Sequence, residues 1–409
     1  MRVVVIGSGI VGAGAAYYLS GRGAAVTVVD GGYPGEATQA GAGIVCPWVD
    51  HPEDDDWYRL TREGTRRYPG LVEALGEDIG YAKVGALLVA EDPADLEPVR
   101  ALLRRRHAGA PEMGDVTDVP TPSELFPPLS DDLSALLVPG AARVDGCSVR
   151  DALLRAAVAQ GAEVRAGAAR LTPGGEVFVH AVAGEAHAEG EPWSPARDET
   201  AEPADQSGSW RQGAPLVSSA APPAPVGARR FAGQGEPLDA DMVIVAAGAW
   251  TGEVCRPLGV ELPVFPRRGQ IMHVTLEGVD TAWWPIVLPR VGPYLLGFPD
   301  SRVVIGATVE DVGFAPRVTL GGLDEVIAAG LRVAPGLFNA TVAETRVGLR
   351  PVYAPGSPLI GPVTGRVVVA TGLSAYGLTA GPFTGEIAAA LALGEEPPID
   401  IAPYAPSVG

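Results

Sequence analysis

The chain has 409 residues, 47% of them hydrophobic and 19% charged, and its 30 Lys+Arg against 49 Asp+Glu leave a formal net charge of −19. That length allows two or three domains and is ample for a large apolar core. So acidic a chain sets aside nucleic acid phosphates and anionic leaflets as partners, since both are bound through basic patches. Cys46, Cys147 and Cys255 are too few and too widely spaced for a disulfide framework or a CxxC metal site, which fits a reducing cytoplasm. His51, His107, His180, His187 and His273 make no metal-ligand spacing either, so no metal is expected.

Residues 3–6 form a short, wholly apolar β-branched run ending at a glycine, the pattern of a parallel strand covered on both faces. No basic n-region or cleavage site precedes it, so export is not expected, and no later apolar stretch approaches the roughly 18 residues of a membrane span. The turn Gly7-Ser8-Gly9-Ile10-Val11-Gly12 leads into a predicted helix over 13–19, then a second apolar run over 25–29 that ends on Asp30. Residues 38–48 follow, rich in Gly and Ala. Leu and Ala recur at helical spacing over 151–160, and 162–164 begin a strand. Residues 184–237 are dominated by Glu, Ala, Pro, Ser and Gly, and are expected to be a mobile surface insertion. Further buried runs ending in glycine occupy 242–248 and 367–372, while 294–296 and 302–306 flank Pro299-Asp300-Ser301 as strands flank a turn.

Parallel-type strands so far apart in sequence predict an α/β fold, a Rossmann-like dinucleotide domain built from 1–50, 145–255 and 345–409. Segments 51–144 and 256–344 would then form a second, α+β domain. In a Gly-x-Gly-x-x-Gly turn the first glycine permits the bend, the second lets the backbone approach a pyrophosphate, and the third lets helix pack on strand. The helix N-terminus offers N–H groups and partial positive charge to the phosphates. Asp30 is placed to accept hydrogen bonds from both hydroxyls of an adenosine ribose, and its charge opposes a 2′-phosphate. The competing reading is an ordinary tight turn with a solvated Asp. FAD and NAD both satisfy the favoured one.

Residues 38–48 favour a flat three-ring system laid along the backbone, although a surface loop is the alternative. The chain resembles the D-amino-acid oxidase superfamily of flavoproteins, in particular glycine oxidase-like enzymes. The segments that carry the likeness are Gly7 to Gly12, Ala42-Gly43-Ile44, Arg143-Val144-Asp145, Ala246-Ala247-Gly248-Ala249-Trp250, Pro266-Arg267-Arg268-Gly269-Gln270, Gly306-Ala307-Thr308-Val309-Glu310, Gly348-Leu349-Arg350-Pro351 and Tyr376-Gly377-Leu378-Thr379. The resemblance covers most of the chain outside 184–237 and implies a substrate domain with a large mixed sheet. It implies FAD contacts from Gly7, Gly9, Ile10, Val11, Gly12, Asp30, Gly31, Thr38, Ala42, Gly43 and Ile44, and from Arg170 through its backbone near the adenine. Ala247, Gly248 and Trp250 would close the ribityl and pyrophosphate side, and Gly372, Ala375, Tyr376, Gly377, Leu378 and Thr379 would bring N–H groups to the pyrimidine edge. Donors there favour reduction of the flavin. Sarcosine oxidases attach flavin through a C-terminal cysteine; no cysteine follows Cys255 here, so the FAD is expected to be noncovalent.

On the substrate side, Arg350 stands in a motif whose arginine binds the substrate carboxylate in the family, and a guanidinium can do so with two parallel hydrogen bonds. Tyr294 matches a tyrosine that assists the carboxylate, with a core role as the alternative. Tyr376 and Trp48 are candidates to wall the pocket. The expected reaction takes a small carboxylate-bearing amine and transfers hydride from its α-carbon to flavin N5. The imine then hydrolyses to keto acid and ammonia. Dioxygen, or another electron acceptor, reoxidises the flavin, with hydrogen peroxide as the product from dioxygen. Some relatives use a lysine near the flavin for oxygen; Lys83, the only lysine, lies outside every flavin motif. The alternatives are oxidation of a 2-hydroxy acid or an N-substituted or cyclic amino acid, and a non-catalytic dinucleotide-binding protein that pairs with a partner. An oligomer is compatible with either.

Overall fold

The computed structural model describes residues 1–181 and 235–406, so His187 and most of the expected insertion, 184–234, lie outside the described residues. A six-stranded sheet has the order Leu359–Pro362, Val367–Thr371, Met242–Val245, Arg2–Ile6, Ala25–Asp30, Glu163–Ala166. All its pairs are parallel except that of the edge strand 359–362 with its neighbour 367–371. Strand side chains alternate between faces. Val3 and Val5 pack with Ala15, Ala16, Leu19, Ala388 and Ala389, whereas Val4 and Ile6 pack with Leu171, Val177 and Val179. A strand covered on both faces has no polar positions to spare, which is why this run is apolar throughout.

The first face is covered by the helices Ile10–Gly21, Gly146–Ala159 and Gly377–Leu393. The first and last of these approach closely because glycine sits at the crossing. A Cβ at Gly385 would lie 2.5 Å from the Ala15 nitrogen, and one at Gly14 would lie 3.0 Å from the Pro382 oxygen. The opposite face meets a three-stranded antiparallel sheet of Ala168–Leu171, Val177–His180 and Glu236–Leu238. The C-terminal end of the segment expected to be a loop, 235–237, therefore enters this sheet through Glu236 and Pro237.

The second large sheet has eight strands in the order Thr341–Tyr353, Val264–Thr275, Arg302–Gly306, Tyr294–Phe298, Ile286–Pro289, Ala86–Ala90, Ser134–Val138, Thr117–Val119. It is mixed: only the pair of Ile286–Pro289 with Ala86–Ala90 is parallel. The turn between Tyr294–Phe298 and Arg302–Gly306 has positive φ at Asp300 (63°) and Ser301 (58°), the mirror-image turn whose twist suits a hairpin. Thr341–Tyr353 pairs with Val264–Thr275 over nearly its whole length, so this strand runs straight through position 345 and places Arg350 in the large sheet. A domain boundary drawn at 345 would cut that strand.

Candidate active site

A cleft lies between the two large sheets. It is lined by the glycine turn, the end of the second strand, residues 36–38 and 40–44, the 246–250 segment, the 348–351 segment and the turn into the last long helix. Of the residues singled out in the sequence, Gly7, Gly9, Ile10, Val11, Asp30, Gly31, Thr38, Ala42, Gly43, Ile44, Ala247, Gly248, Trp250, Tyr294, Arg350, Ala375, Tyr376, Gly377, Leu378 and Thr379 all line it. Gly12 and Gly372 do not, and neither does Arg170. The Arg170 side chain is exposed on its strand, and its neighbour Ala169 lines the cleft. Trp48 is also no wall of the cleft: it is buried in the core with Leu88, Leu136 and Leu296.

The three glycines of the turn are glycine for different reasons. A Cβ at Gly7 would sit 2.5 Å from the Ala246 oxygen, and one at Gly12 would sit 1.9 Å from the Gly7 oxygen, so protein backbone forbids both. At Gly9 the nearest atom, Thr38 Oγ1, is 3.4 Å away, an ordinary contact. Nothing among the described residues requires a glycine there, and the position opens onto the cleft. Gly9 caps the helix without a side-chain bond, and the Ile10 N–H donates to Thr38 Oγ1 at 3.0 Å. Asp30 accepts from the Ser8 N–H (2.8 Å), the Ser8 hydroxyl and the Gly32 N–H (2.7 Å), which ties the second strand to the glycine turn. The Trp250 indole N–H is buried at the cleft wall with no acceptor among the described residues, and its ring stacks on Tyr33.

Across the cleft, the helix Gly377–Leu393 points its N-terminus inward, with no side-chain cap at Tyr376. Thr379 Oγ1 donates to the Ile44 oxygen at 3.0 Å and Thr371 Oγ1 to the Gly248 oxygen at 3.0 Å, so this turn is bolted to both neighbouring segments. Partial positive charge at such a terminus suits an anionic ring edge.

Arg350 donates from Nη1 to the Thr308 oxygen at 3.0 Å and makes no ion pair among the described residues. Gly269, directly across the ladder from Gly348, leaves the space its guanidinium occupies: a Cβ there would meet Arg350 Nη2 at 2.3 Å. The guanidinium lies against the Tyr294 hydroxyl. Burial pushes that phenol above its ordinary value, against the opposing pull of Arg350. Behind Arg350, Arg268 pairs with Glu310, whose carboxyl also accepts from Gln270 Nε2 (2.7 Å) and Thr308 Oγ1 (2.7 Å). The Arg268 bond holds the Glu310 pKa down to about 2.

The Tyr376 hydroxyl lies against the Asp50 carboxylate, and burial with that nearby negative charge raises the phenol far above its ordinary range. Asp50 lines the cleft and was missed in the sequence, where it is one acid among 49 Asp+Glu. Its only signal is its position just beyond the small-residue run. Cys46 also reaches the cleft, but burial pushes its thiol well above the ordinary range, so it is a poor nucleophile. Lys83 stands on the short strand Ala82–Lys83, outside the cleft.

A family profile described as FAD-dependent oxidoreductase, DAO, matches residues 2–191 and 205–391. The chain belongs to the DAO family of FAD-dependent oxidoreductases. It is an enzyme of glycine oxidase-like type, and FAD is its cofactor. The uncharacterized oxidoreductase YurR of Bacillus subtilis is 38% identical over 99% of this chain and 98% of its own length. The glycine oxidase of Bacillus licheniformis is 25% identical over 96% of this chain and 92% of its own. Among solved structures, iminodiacetate oxidase from Chelativorans sp. BNC1 superposes with a TM-score of 0.83 at 40% identity, covering 99% of each chain. Glycine oxidase from Geobacillus kaustophilus, at 22% identity and a TM-score of 0.76 over 99% of this chain and 98% of its own, shares the fold. No helix among the described residues is long and apolar enough to cross a membrane.

Proposed function

We propose that this oxidoreductase oxidises the carbon–nitrogen bond of a small amine bearing a carboxylate, which Arg350 holds. The observation that carries the proposal is a guanidinium lining a cofactor cleft with no carboxylate partner among the described residues, beside a buried tyrosine hydroxyl. Such a group binds a substrate carboxylate in a fixed plane and distance, which sets the orientation of the adjacent α-carbon. Noncovalent FAD fits the residues present. Gly7 and Gly9, with the N-terminus of helix Ile10–Gly21, would cradle the pyrophosphate, and Asp30 would exchange an N–H partner for ribose hydroxyls. Trp250 Nε1 supplies an unused donor, and the turn at 373–379 would meet the pyrimidine edge.

Bound FAD supplies the two-electron acceptor for the α-carbon, and its reoxidation by dioxygen would yield hydrogen peroxide. The chain's own residues bind and orient: Arg350 and Tyr294 grip the carboxylate, while the apolar Val49 and Leu288 limit water around the reacting carbon. No side-chain base at the carbon is required. The imine released hydrolyses in water to a keto acid and ammonia. A second reading, a secondary amine with two carboxylates, draws support from the 40% identity to iminodiacetate oxidase. Arg350 is the only arginine or lysine among the described residues lining the cleft, so only one carboxylate of such a substrate would meet a guanidinium there.

The test is anaerobic bleaching of the flavin spectrum by D-, L- and N-substituted amino acids, iminodiacetate and 2-hydroxy acids. Amines are expected to bleach it and hydroxy acids are not. Arg350→Ala should retain FAD while kcat/KM falls by about 100-fold or more, the cost of losing a desolvated charge pair. Unchanged turnover in that variant, or reduction by hydroxy acids alone, overturns the proposal.

A further inference from the structure

Three carboxylates line the cleft, and two are already engaged. Asp30 accepts from Ser8 and Gly32, and Glu36 faces Arg150 at 3.4 Å and Gln39 at 2.8 Å. Asp50 makes no ion pair among the described residues; its carboxylate lies against the Tyr376 hydroxyl, and its charge also reaches the Arg106 guanidinium and the His51 ring. It follows Val49, which packs in the same cluster as Tyr294 and Leu288, and Tyr294 is the residue against Arg350. The cleft is therefore lined by one guanidinium, Arg350, and one carboxylate, Asp50, that make no ion pair among the described residues.

The loop that carries Asp50 is held rigidly. Arg106, buried beneath it, donates to the oxygens of Trp48 (2.9 Å), Asp50 (2.6 Å) and His51 (2.6 Å). His51 has a left-handed φ of 52°, and its ring stacks on Trp57 at 4.7 Å and packs against Tyr376 at 4.6 Å. A non-glycine residue in that conformation persists only where its surroundings over-determine it. The Trp57 indole is fixed in turn by the Gly356 oxygen at 2.7 Å. All of this anchoring acts on the backbone and the flanking rings, and none of these bonds engages the Asp50 carboxylate.

We propose that Asp50 is the amine-recognition residue: together with Arg350 in the same cleft it makes the pocket a receptor for a zwitterion, and it selects amino acids over 2-hydroxy acids. The inference rests on the function proposed above and names the group that reads the nitrogen. A carboxylate accepts an N–H from the amine in either protonation state, and the ammonium adds a charge-assisted bond in a partly desolvated site. A hydroxyl at the same position donates one bond and brings no positive charge of its own. Tyr376 steers the carboxylate through its own hydroxyl and is a positioning residue.

The test is titration of the holoenzyme with 2-aminoisobutyrate and 2-hydroxyisobutyrate, followed by the perturbation of the flavin absorbance. Neither acid carries an α-hydrogen, so neither can be oxidised at that carbon, and they differ only in amine against hydroxyl. The unaltered enzyme should bind the amine about 10- to 100-fold more tightly. Asp50→Asn, which keeps an acceptor for Tyr376 but removes the charge, should abolish that preference by weakening the amine alone. Tyr376→Phe, which keeps the charge but releases the carboxylate from its hydroxyl, should lower the preference less than Asp50→Asn does. Arg350→Ala should weaken both ligands together. A preference unchanged in Asp50→Asn, or a wild-type preference for the hydroxy acid, overturns the role of Asp50 and leaves Arg350 untouched. If neither ligand binds the unaltered enzyme, or both bind Arg350→Ala undiminished, the carboxylate-binding reading falls and the amine-recognition role with it.

Discussion

At the residue scale, the guanidinium of Arg350 depends on an atom that is missing. Gly269 carries no Cβ, and one placed there would stand 2.3 Å from Arg350 Nη2 and 2.5 Å from its Cζ. The end of a long side chain can move aside, so Gly269→Ala should fold and keep its FAD. The displaced guanidinium would lose the Thr308 oxygen and its aim at the substrate carboxylate. Misplacing a positioning group by about 1 Å can cost on the order of 10²-fold, so kcat/KM should fall by about that factor, mainly through KM. Steady-state kinetics with the flavin content checked by absorbance decides this, and an unaltered KM would mean that the guanidinium does not hold the substrate.

At the scale of elements, the segment between the strand Arg302–Gly306 and the helix Leu320–Val333 carries the oxygen that Arg350 uses, and Glu310 organises it. Its carboxylate gathers Arg268, Gln270 and Thr308, while Arg268 Nη1 also reaches the oxygens of Ala315 (3.1 Å) and Arg317 (3.2 Å). Arg268 is only 4% exposed, so Glu310→Gln leaves a buried cation without its counter-ion. That change should destabilise the protein by about 2–3 kcal/mol, below the full cost for a wholly buried pair. The pH dependence follows from the depressed carboxyl. Its stabilising contribution is complete above the ordinary carboxylate value of 4.5 and is lost as pH falls through about 2. Melting temperatures measured between pH 5 and pH 2 should fall more gently in Glu310→Gln than in the unaltered protein. Parallel curves would mean that the ion pair contributes nothing.

On the scale of the whole molecule, the cleft is walled by both large sheets and by the N-termini of two helices that cross at Gly14 and Gly385. A cofactor seated there binds the folded chain and not the unfolded one. At 100 times its dissociation constant it adds about 2.7 kcal/mol, which for a chain of this size raises the melting temperature by about 3 °C. Deflavinated protein titrated with FAD should show a midpoint that climbs with the logarithm of FAD concentration. A midpoint indifferent to FAD would separate the cleft from the cofactor.

What was legible in the sequence was short-ranged. The apolar runs at 3–6, 25–29, 242–245 and 367–371 announced strands covered on both faces, because period and length are local properties. The hairpin turn at 299–301 was local too, since it is set by the φ values of two adjacent residues, Asp300 and Ser301. Arg350 came from a motif resemblance, but its membership in the large sheet came from pairing with a strand some 80 positions earlier. Asp50 against Tyr376, Gly269 making room for Arg350, Trp48 turned into the core and Ala169 rather than Arg170 at the cleft were decided by tertiary structure alone. Each depends on which face of an element is covered and on what residue, distant along the chain, arrives to cover it. Local periodicity supplies the first half of that condition, and only the packed fold supplies the second.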